Sequence, residues 1–272
     1  MPGIPPALGE ADRRRLEGEK ARLRREAWDR LQSEGVARFP FPPHDRIPNF
    51  EGAKEAAERL AETPEFRAAK VVKANPDAPQ LPLRALALRQ GKALVMAVPR
   101  LKEPACFRLF PEGSHAVPTI QEALSRGRPL TPEDVPPIDL VLAGSVVVGP
   151  RGERIGKGGG FSDLEWGLLS EAEKVTPATR IVTTVHDLQA KTSLLPVLPH
   201  DVPLDLAATP TRLLRFPTSL GRPRGIMPEE LTEATRSEVS WLSKWMSARE
   251  RARRTALYGG GGGSSGPPPS SF

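Results

Sequence analysis

Between Arg154 and Asp163 the chain reads RIGKGGGFSD, the densest chemical signal in the sequence. Gly156, Gly158, Gly159 and Gly160 stand between a strand-like run and a helical stretch. Glycines there permit positive φ and let backbone N–H groups come close to a ligand. The helix start beyond them adds exposed donors and the positive end of a dipole. Arg154 and Lys157 add full charges, so the stretch reads as an anion cradle, most naturally for phosphates. Asp163 follows where a Mg²⁺ ion bridging phosphates would need a carboxylate. The same residues also admit a plainer reading, a surface glycine loop whose Asp163 only caps the helix. No Gly-Lys-Ser/Thr closes the loop, so it is not a Walker sequence. Its glycine spacing is a poor dinucleotide fingerprint.

Three further places carry candidate chemistry. Lys20 and Arg24 are four residues apart on a helical pattern, which puts both charges on one face. They would clamp a polyphosphate, or simply pair with Glu19 and Glu26 in solvent. In His200-Asp-Val-Pro-Leu-Asp205, either Asp201 or Asp205 would serve as a second metal carboxylate, or as turn chemistry before a strand. His186 and Asp187 follow the run RIVTTV, at the kind of strand end where ligands gather in open α/β sheets. The histidines show no HExxH or similar metal spacing. No Ser-His-Asp order is convincing and there is no G-x-S-x-G, so a protein nucleophile is not expected.

These residues need a scaffold, and composition says which kinds are excluded. The chain has 272 residues, with 39 Lys and Arg against 33 Asp and Glu, a net charge of +6. Hydrophobic residues make up 38%, enough for a core, which rules out a wholly disordered chain. The 24 glycines and 31 prolines follow no G-X-Y period, so collagen is out. No apolar run is long enough to span a membrane, and no membrane partner is expected. One cysteine, Cys106, can form neither an internal disulfide nor a cysteine-rich zinc site. With no signal-type segment at the start, a cytoplasmic protein is expected. The basic balance leaves nucleic acid open as a partner, or a polyanionic small ligand.

The elements follow from periodicity. Leu16, Leu23, Ala27 and Leu31 form an apolar stripe on a long helix over Glu10–Glu34. The four prolines of Arg38–Phe50 demand an irregular segment. A second helix spans Glu51–Glu62. Strands over 69–73, 93–98, 138–142, 180–185 and 204–209 alternate with helices over 83–89, 119–126 and 162–170. SVVV at Ser145–Val148 leads into a turn at Gly149–Gly152. Such alternation argues for a layered α/β sheet. Pro228–Arg254 is helical, with Leu231, Val239, Leu242 and Trp245. The expected organisation is a flexible N-terminus over 1–8, a single α/β domain over 9–257, and a disordered Gly/Ser/Pro tail over 258–272.

Taken together, the motifs resemble the 5-formyltetrahydrofolate cyclo-ligase family, also called methenyltetrahydrofolate synthetase. The resemblance rests on Arg154–Asp163, on Lys20 and Arg24 ahead of it, and on His200–Asp205 behind it. RIPNF (Arg46–Phe50), GKALVMAVPRL (Gly91–Leu101) and VHD (Val185–Asp187) are similar to the methenyltetrahydrofolate synthase domain-containing subgroup. It covers roughly residues 18–250. It implies a three-layer α/β fold, with helices on both faces of the sheet, of the NagB/RpiA/CoA-transferase type. It also implies ATP- and Mg²⁺-dependent cyclisation of 5-formyltetrahydrofolate to 5,10-methenyltetrahydrofolate, through phosphorylation of the formyl oxygen. The partners are then ATP and a folate, and a monomer is expected. Carried over residue by residue, the family pattern gives ATP to Lys20, Arg24, Arg154, Gly156, Lys157, Gly158, Gly159, Gly160, Phe161 and Ser162. It gives the metal to Asp163 and Asp201. Asn49, Phe50 and Phe161 are the candidates for folate contact. Two departures stand out. The loop has Phe161-Ser162 where the family usually has two aromatics, and KVVKANPDAPQ shows no clear match to the family's folate-contacting Glu. They motivate an alternative, a divergent paralogue that binds nucleotide or RNA without cyclo-ligase activity.

Overall fold

The computed structural model describes residues 8–114, 119–217 and 220–258. Residues 259–272 of the expected tail and residues 1–7 of the expected flexible N-terminus lie outside the described residues. The helices are α1 (Glu10–Ser33), α2 (Ala53–Ala61), α3 (Pro64–Ala68), α4 (Leu81–Arg89), α5 (Ile120–Arg126), α6 (Phe161–Glu171), α7 (Glu233–Glu238) and α8 (Leu242–Tyr258). Strands β1 (Ala37–Arg38) and β2 (Asn49–Phe50) form a small ribbon around the proline-rich segment. Strands β3 (Val71–Ala74), β4 (Ala93–Ala97), β5 (Phe107–Phe110), β6 (Arg128–Leu130) and β7 (Leu140–Leu142) precede a hairpin of β8 (Val147–Val148) and β9 (Arg154–Ile155). Strands β10 (Arg180–Thr184), β11 (Leu206–Ala208) and β12 (Leu213–Arg215) complete the set.

Among the described residues, eight strands form one sheet in the order β12-β11-β10-β7-β3-β4-β5-β6. The middle five, β11 to β4, are parallel, and β12, β5 and β6 pair antiparallel at its flanks. A parallel strand is buried on both faces, which is why ALVMA of β4 is apolar throughout. Its side chains divide by the period of two. Leu94 and Met96 join Val72, Leu140 and Val182 in one core, against Leu60 of α2 and Leu83 of α4. Val95 joins Val141, Ile181 and Ala207 in the other, against Leu164, Trp166 and Leu168 of α6, with Val239 and Leu242 behind. Helices thus cover both faces, giving the expected three-layer α/β architecture. Each fully buried Leu or Met contributes roughly 1.5–3 kcal/mol relative to exposure.

Helix α2 forms because Ala53, Ala56, Ala57, Leu60 and Ala61 recur at helical spacing on its buried side. Helix α1 covers neither face of the sheet. Its stripe of Leu23, Ala27 and Trp28 packs on Val146, Val147 and Ile155 around the β8–β9 hairpin, with Ile47 and Leu195. The hairpin turn admits only glycine at 152, where φ is +88° and a Cβ would stand 2.4 Å from the Leu204 carbonyl oxygen. The single helical region expected over 228–254 divides, with α7 and α8 separated by Val239–Trp241, and α8 runs on through Tyr258. No helix among the described residues is long and apolar enough to cross a membrane.

Candidate functional site

All five parallel strands end at the same edge, and the loops leaving β3 and β7 place Asn75, Asp77 and Gly144 there. The hairpin brings the glycine loop to that edge. Gly158 adopts φ +108° and Gly160, which precedes the first turn of α6, φ +67°. Both are left-handed conformations that a side chain would strain.

Arg154 sits beneath the loop. Its guanidinium donates to the Gly144 carbonyl at 3.0 Å and to Asp163 Oδ1 at 2.5 Å, with a side chain only 3% exposed. Asp163 Oδ1 also accepts the Val202 N–H at 3.1 Å. Burial would raise the Asp163 carboxyl, but the adjoining Arg154 charge and hydrogen bond outweigh it and hold the group below the usual range. Arg154 is therefore neutralised under the loop and acts on Asp163, while Lys157 alone of the loop's two cations reaches solvent. Lys157 is half-exposed, with Nζ 3.5 Å from Asp77.

The N-terminal helix supplies the other side. Arg24 Nε donates to the Gly156 carbonyl at 2.8 Å, and its guanidinium carbon would stand 3.3 Å from a Cβ on Gly158. Burial lowers the Arg24 pKa, opposed by the charges of Asp201 and Glu17. One turn earlier, the buried Lys20 ammonium donates to Asp201 Oδ2, which also accepts the Leu198 N–H at 2.6 Å. So α1 meets segments 132 or more positions further along the chain: Lys20 and Arg24 share one locus with Gly156, Gly158 and Asp201.

Asp205 lies elsewhere in role. Its carboxylate accepts the Ile181 N–H at 2.7 Å and Arg222 at 2.5 Å, tying β10 to the following segment. Of the two carboxylates left open by sequence, Asp201 is the one beside Lys20. His186 and Asp187 form a separate cluster, in which Asp187 accepts the hydroxyls of Thr209 and Thr211, each at 2.7 Å. Among the folate candidates, Phe50 is a core residue, 2% exposed against Ala53 and Ala56, with its ring 6.0 Å from His186. Its aromatic ring fills the interior because α2 needs cover, which removes it from solvent-facing roles. Asn49 donates to the Phe39 carbonyl at 2.8 Å. Phe161 is half-buried at the start of α6, packed on the core below Gly159.

Sequence reading missed a buried network under the loop. Lys73 of β3 donates to Glu165 of α6, and both are almost fully buried. Asn75 Nδ2 donates to the same carboxylate at 3.1 Å. Asn75 Oδ1 accepts from the Ser162 hydroxyl at 3.2 Å and from the Gly144 N–H at 3.2 Å. Ser162 is thereby held against the end of β3. The available signals were a lysine inside an apolar strand run and a glutamate inside LEWGLL, since isolated buried charges are costly unless paired.

Among the described residues, no three His, Cys, Asp or Glu side chains gather as a metal cage. Mg²⁺ does not require one, being held by one or two carboxylates together with phosphate oxygens and water. Asp163 and Asp201 bracket the locus, each now neutralised by a cation, Arg154 and Lys20 respectively, and their donor chemistry suits that ion.

A family model described as the 5-formyltetrahydrofolate cyclo-ligase family matches residues 10–210. The chain belongs to that family. It is similar to the methenyltetrahydrofolate synthase domain-containing protein of Mus musculus, 37% identical over 217 residues, covering 76% of this chain and 58% of that protein. The Bos taurus protein of the same description is 36% identical over 214 residues, covering 76% and 56%. The chain thus spans a little over half the length of these relatives. The solved 5,10-methenyltetrahydrofolate synthetase of Aquifex aeolicus is 21% identical with a TM-score of 0.49, over 78% of this chain and 99% of that one. Every residue of the locus, from Lys20 to Asp201, falls inside the stretch that the cyclo-ligase family model matches.

Proposed function

We propose that this chain catalyses ATP- and Mg²⁺-dependent cyclisation of 5-formyltetrahydrofolate to 5,10-methenyltetrahydrofolate. One observation carries the proposal: in a cyclo-ligase family member, Arg24 of α1 reaches the glycine loop while Lys20, one turn earlier, meets Asp201. The chemistry needs no protein nucleophile. A formamide oxygen is a poor leaving group. Transfer of the γ-phosphoryl group to it releases ADP and turns the oxygen into part of a phosphate leaving group. N10 then bonds to the activated carbon, the C–O bond breaks, phosphate departs, and the N10 proton is lost to solvent.

What remains for the protein is alignment and charge neutralisation. Lys20, Arg24 and Lys157 supply cations, and the backbone N–H groups of the glycine loop and the first turn of α6 supply neutral donors. Nucleotide binding draws Lys20 from Asp201 to a phosphate, which frees that carboxylate. Mg²⁺, when bound, would neutralise phosphate charge, and Asp163 and Asp201 would hold it. Arg154 fixes Asp163, and Asn75 fixes Ser162, so both act from beneath the nucleotide. Asn49 and Phe161 border the folate. Incubating the purified chain with MgATP and 5-formyltetrahydrofolate tests this by the absorbance of the methenyl product. Absorbance should grow in step with ADP; a folded, nucleotide-binding protein that produces none would overturn the activity.

The alternative, a paralogue that binds nucleotide or RNA without turnover, draws on Ser162 being engaged with Asn75 and on the +6 charge. RNA affinity that falls steeply with salt, in a chain that does not bind MgATP, would favour it.

A further inference from the structure

The two locus residues Lys20 and Asp201 adjoin a second cluster of charged and polar side chains. Arg13 lies seven residues before Lys20 on α1, two helical turns away on nearly the same face. Its guanidinium holds both oxygens of Glu230, at 2.7 and 2.9 Å. Glu230 Oε2 also accepts from His200 Nδ1 at 2.8 Å. The other ring nitrogen of His200 is 3.9 Å from Asp201 Oδ1, and Asp201 Oδ2 binds Lys20. Three distant stretches of chain therefore meet here: α1, the 198–202 segment and the turn over Pro228–Glu230. In that turn Pro228 and Glu229 are exposed, yet the Glu230 carboxylate is 3% exposed. A buried carboxylate with both oxygens held by an arginine and one of them also by a histidine is a rigid joint.

We propose that Glu230 is a positioning residue for nucleotide binding. By joining Arg13 to His200 it sets where Lys20 and Asp201 stand relative to each other, before a triphosphate and its metal arrive. Glu230 lies past residue 210, where the family match ends, so the joint comes from outside the residues that the family model matches. The inference rests on the locus being a nucleotide site. The rival explanation is a staple that only holds α1 in place.

Two variants separate them. Glu230→Gln keeps the shape and one acceptor oxygen. The double variant Arg13→Glu with Glu230→Arg restores the attraction to α1, but an arginine cannot accept from His200. We expect Glu230→Gln to raise the Kd for a non-hydrolysable MgATP analogue by about tenfold, while the KM for folate stays within about twofold and the protein, although it melts lower, remains folded at the assay temperature. The double variant should melt like wild type and still bind nucleotide weakly. Wild-type nucleotide affinity in Glu230→Gln would overturn the inference, as would recovery of affinity together with stability in the double variant. A wild-type chain that binds no MgATP would instead overturn the nucleotide site itself, and the inference with it.

Discussion

Two arginine-rich helices stand near the two ends of the described chain, and they use their charge in opposite ways. On α1, Arg14, Arg15 and Arg22 pair with Glu10, Asp12 and Glu26 at the surface, while Lys20 and Arg24 turn inward to Asp201 and Gly156. On α8, Arg253 pairs with Glu171 and Arg254 with Glu250, at side-chain exposures of 61% and 72%. The two clusters look alike in sequence. What separates them is the partner across the gap: α1 lies against a glycine loop whose missing side chains admit the Arg24 guanidinium, whereas Arg253 and Arg254 of α8 pair with carboxylates while remaining exposed to solvent. Burial and a cradle, rather than density of arginine, set the inward cations of α1 apart.

The comparison is most exposed to substitution at Lys20. Lys20→Met removes one partner of a buried pair and one cation of the expected phosphate site. The Kd for MgATP should rise at least roughly thirtyfold, from about 2 kcal/mol or more. Arg24→Lys keeps the charge but loses the fixed donor to Gly156, and should weaken nucleotide binding by about tenfold in the same titration. Lys157→Ala removes a half-exposed cation and should cost about fivefold in nucleotide affinity, from roughly 1 kcal/mol, with a smaller effect on folate KM. Equal effects on both ligands would move Lys157 out of the phosphate site. Arg253→Ala and Arg254→Ala should leave nucleotide binding unchanged and alter stability by less than about 0.5 kcal/mol in denaturant unfolding. A loss of nucleotide affinity there would erase the distinction between the helices.

Much of this was legible in sequence, for identifiable reasons. The parallel strands β3, β4, β7, β10 and β11 are apolar runs bounded by turn residues, and the core-facing stripe of α1 repeats at helical spacing. The antiparallel flanks β5, β6 and β12 were not read. Each has three or four residues, and Arg108, Arg128, Pro129 and Arg215 break any apolar pattern, because a flank strand's identity is decided by its neighbour. At the site, the loop and its α1 partners were readable because glycine spacing and i, i+4 charges are local. Asn75, Glu165 and Glu230 were not, since their roles exist only through contacts made across the fold. The burial of Phe50 was not legible either: an aromatic after Asn49 looks available in sequence, and only the packing of α2 shows that it is interior.

A structure of the chain with a non-hydrolysable MgATP analogue tests the central claim most directly. We expect phosphate oxygens within roughly 3.2 Å of Lys20 Nζ, the Arg24 guanidinium and the loop N–H groups, with Lys20 moved off Asp201. A nucleotide seated elsewhere, with Lys20 still bound to Asp201 and Arg24 still on Gly156, would contradict it.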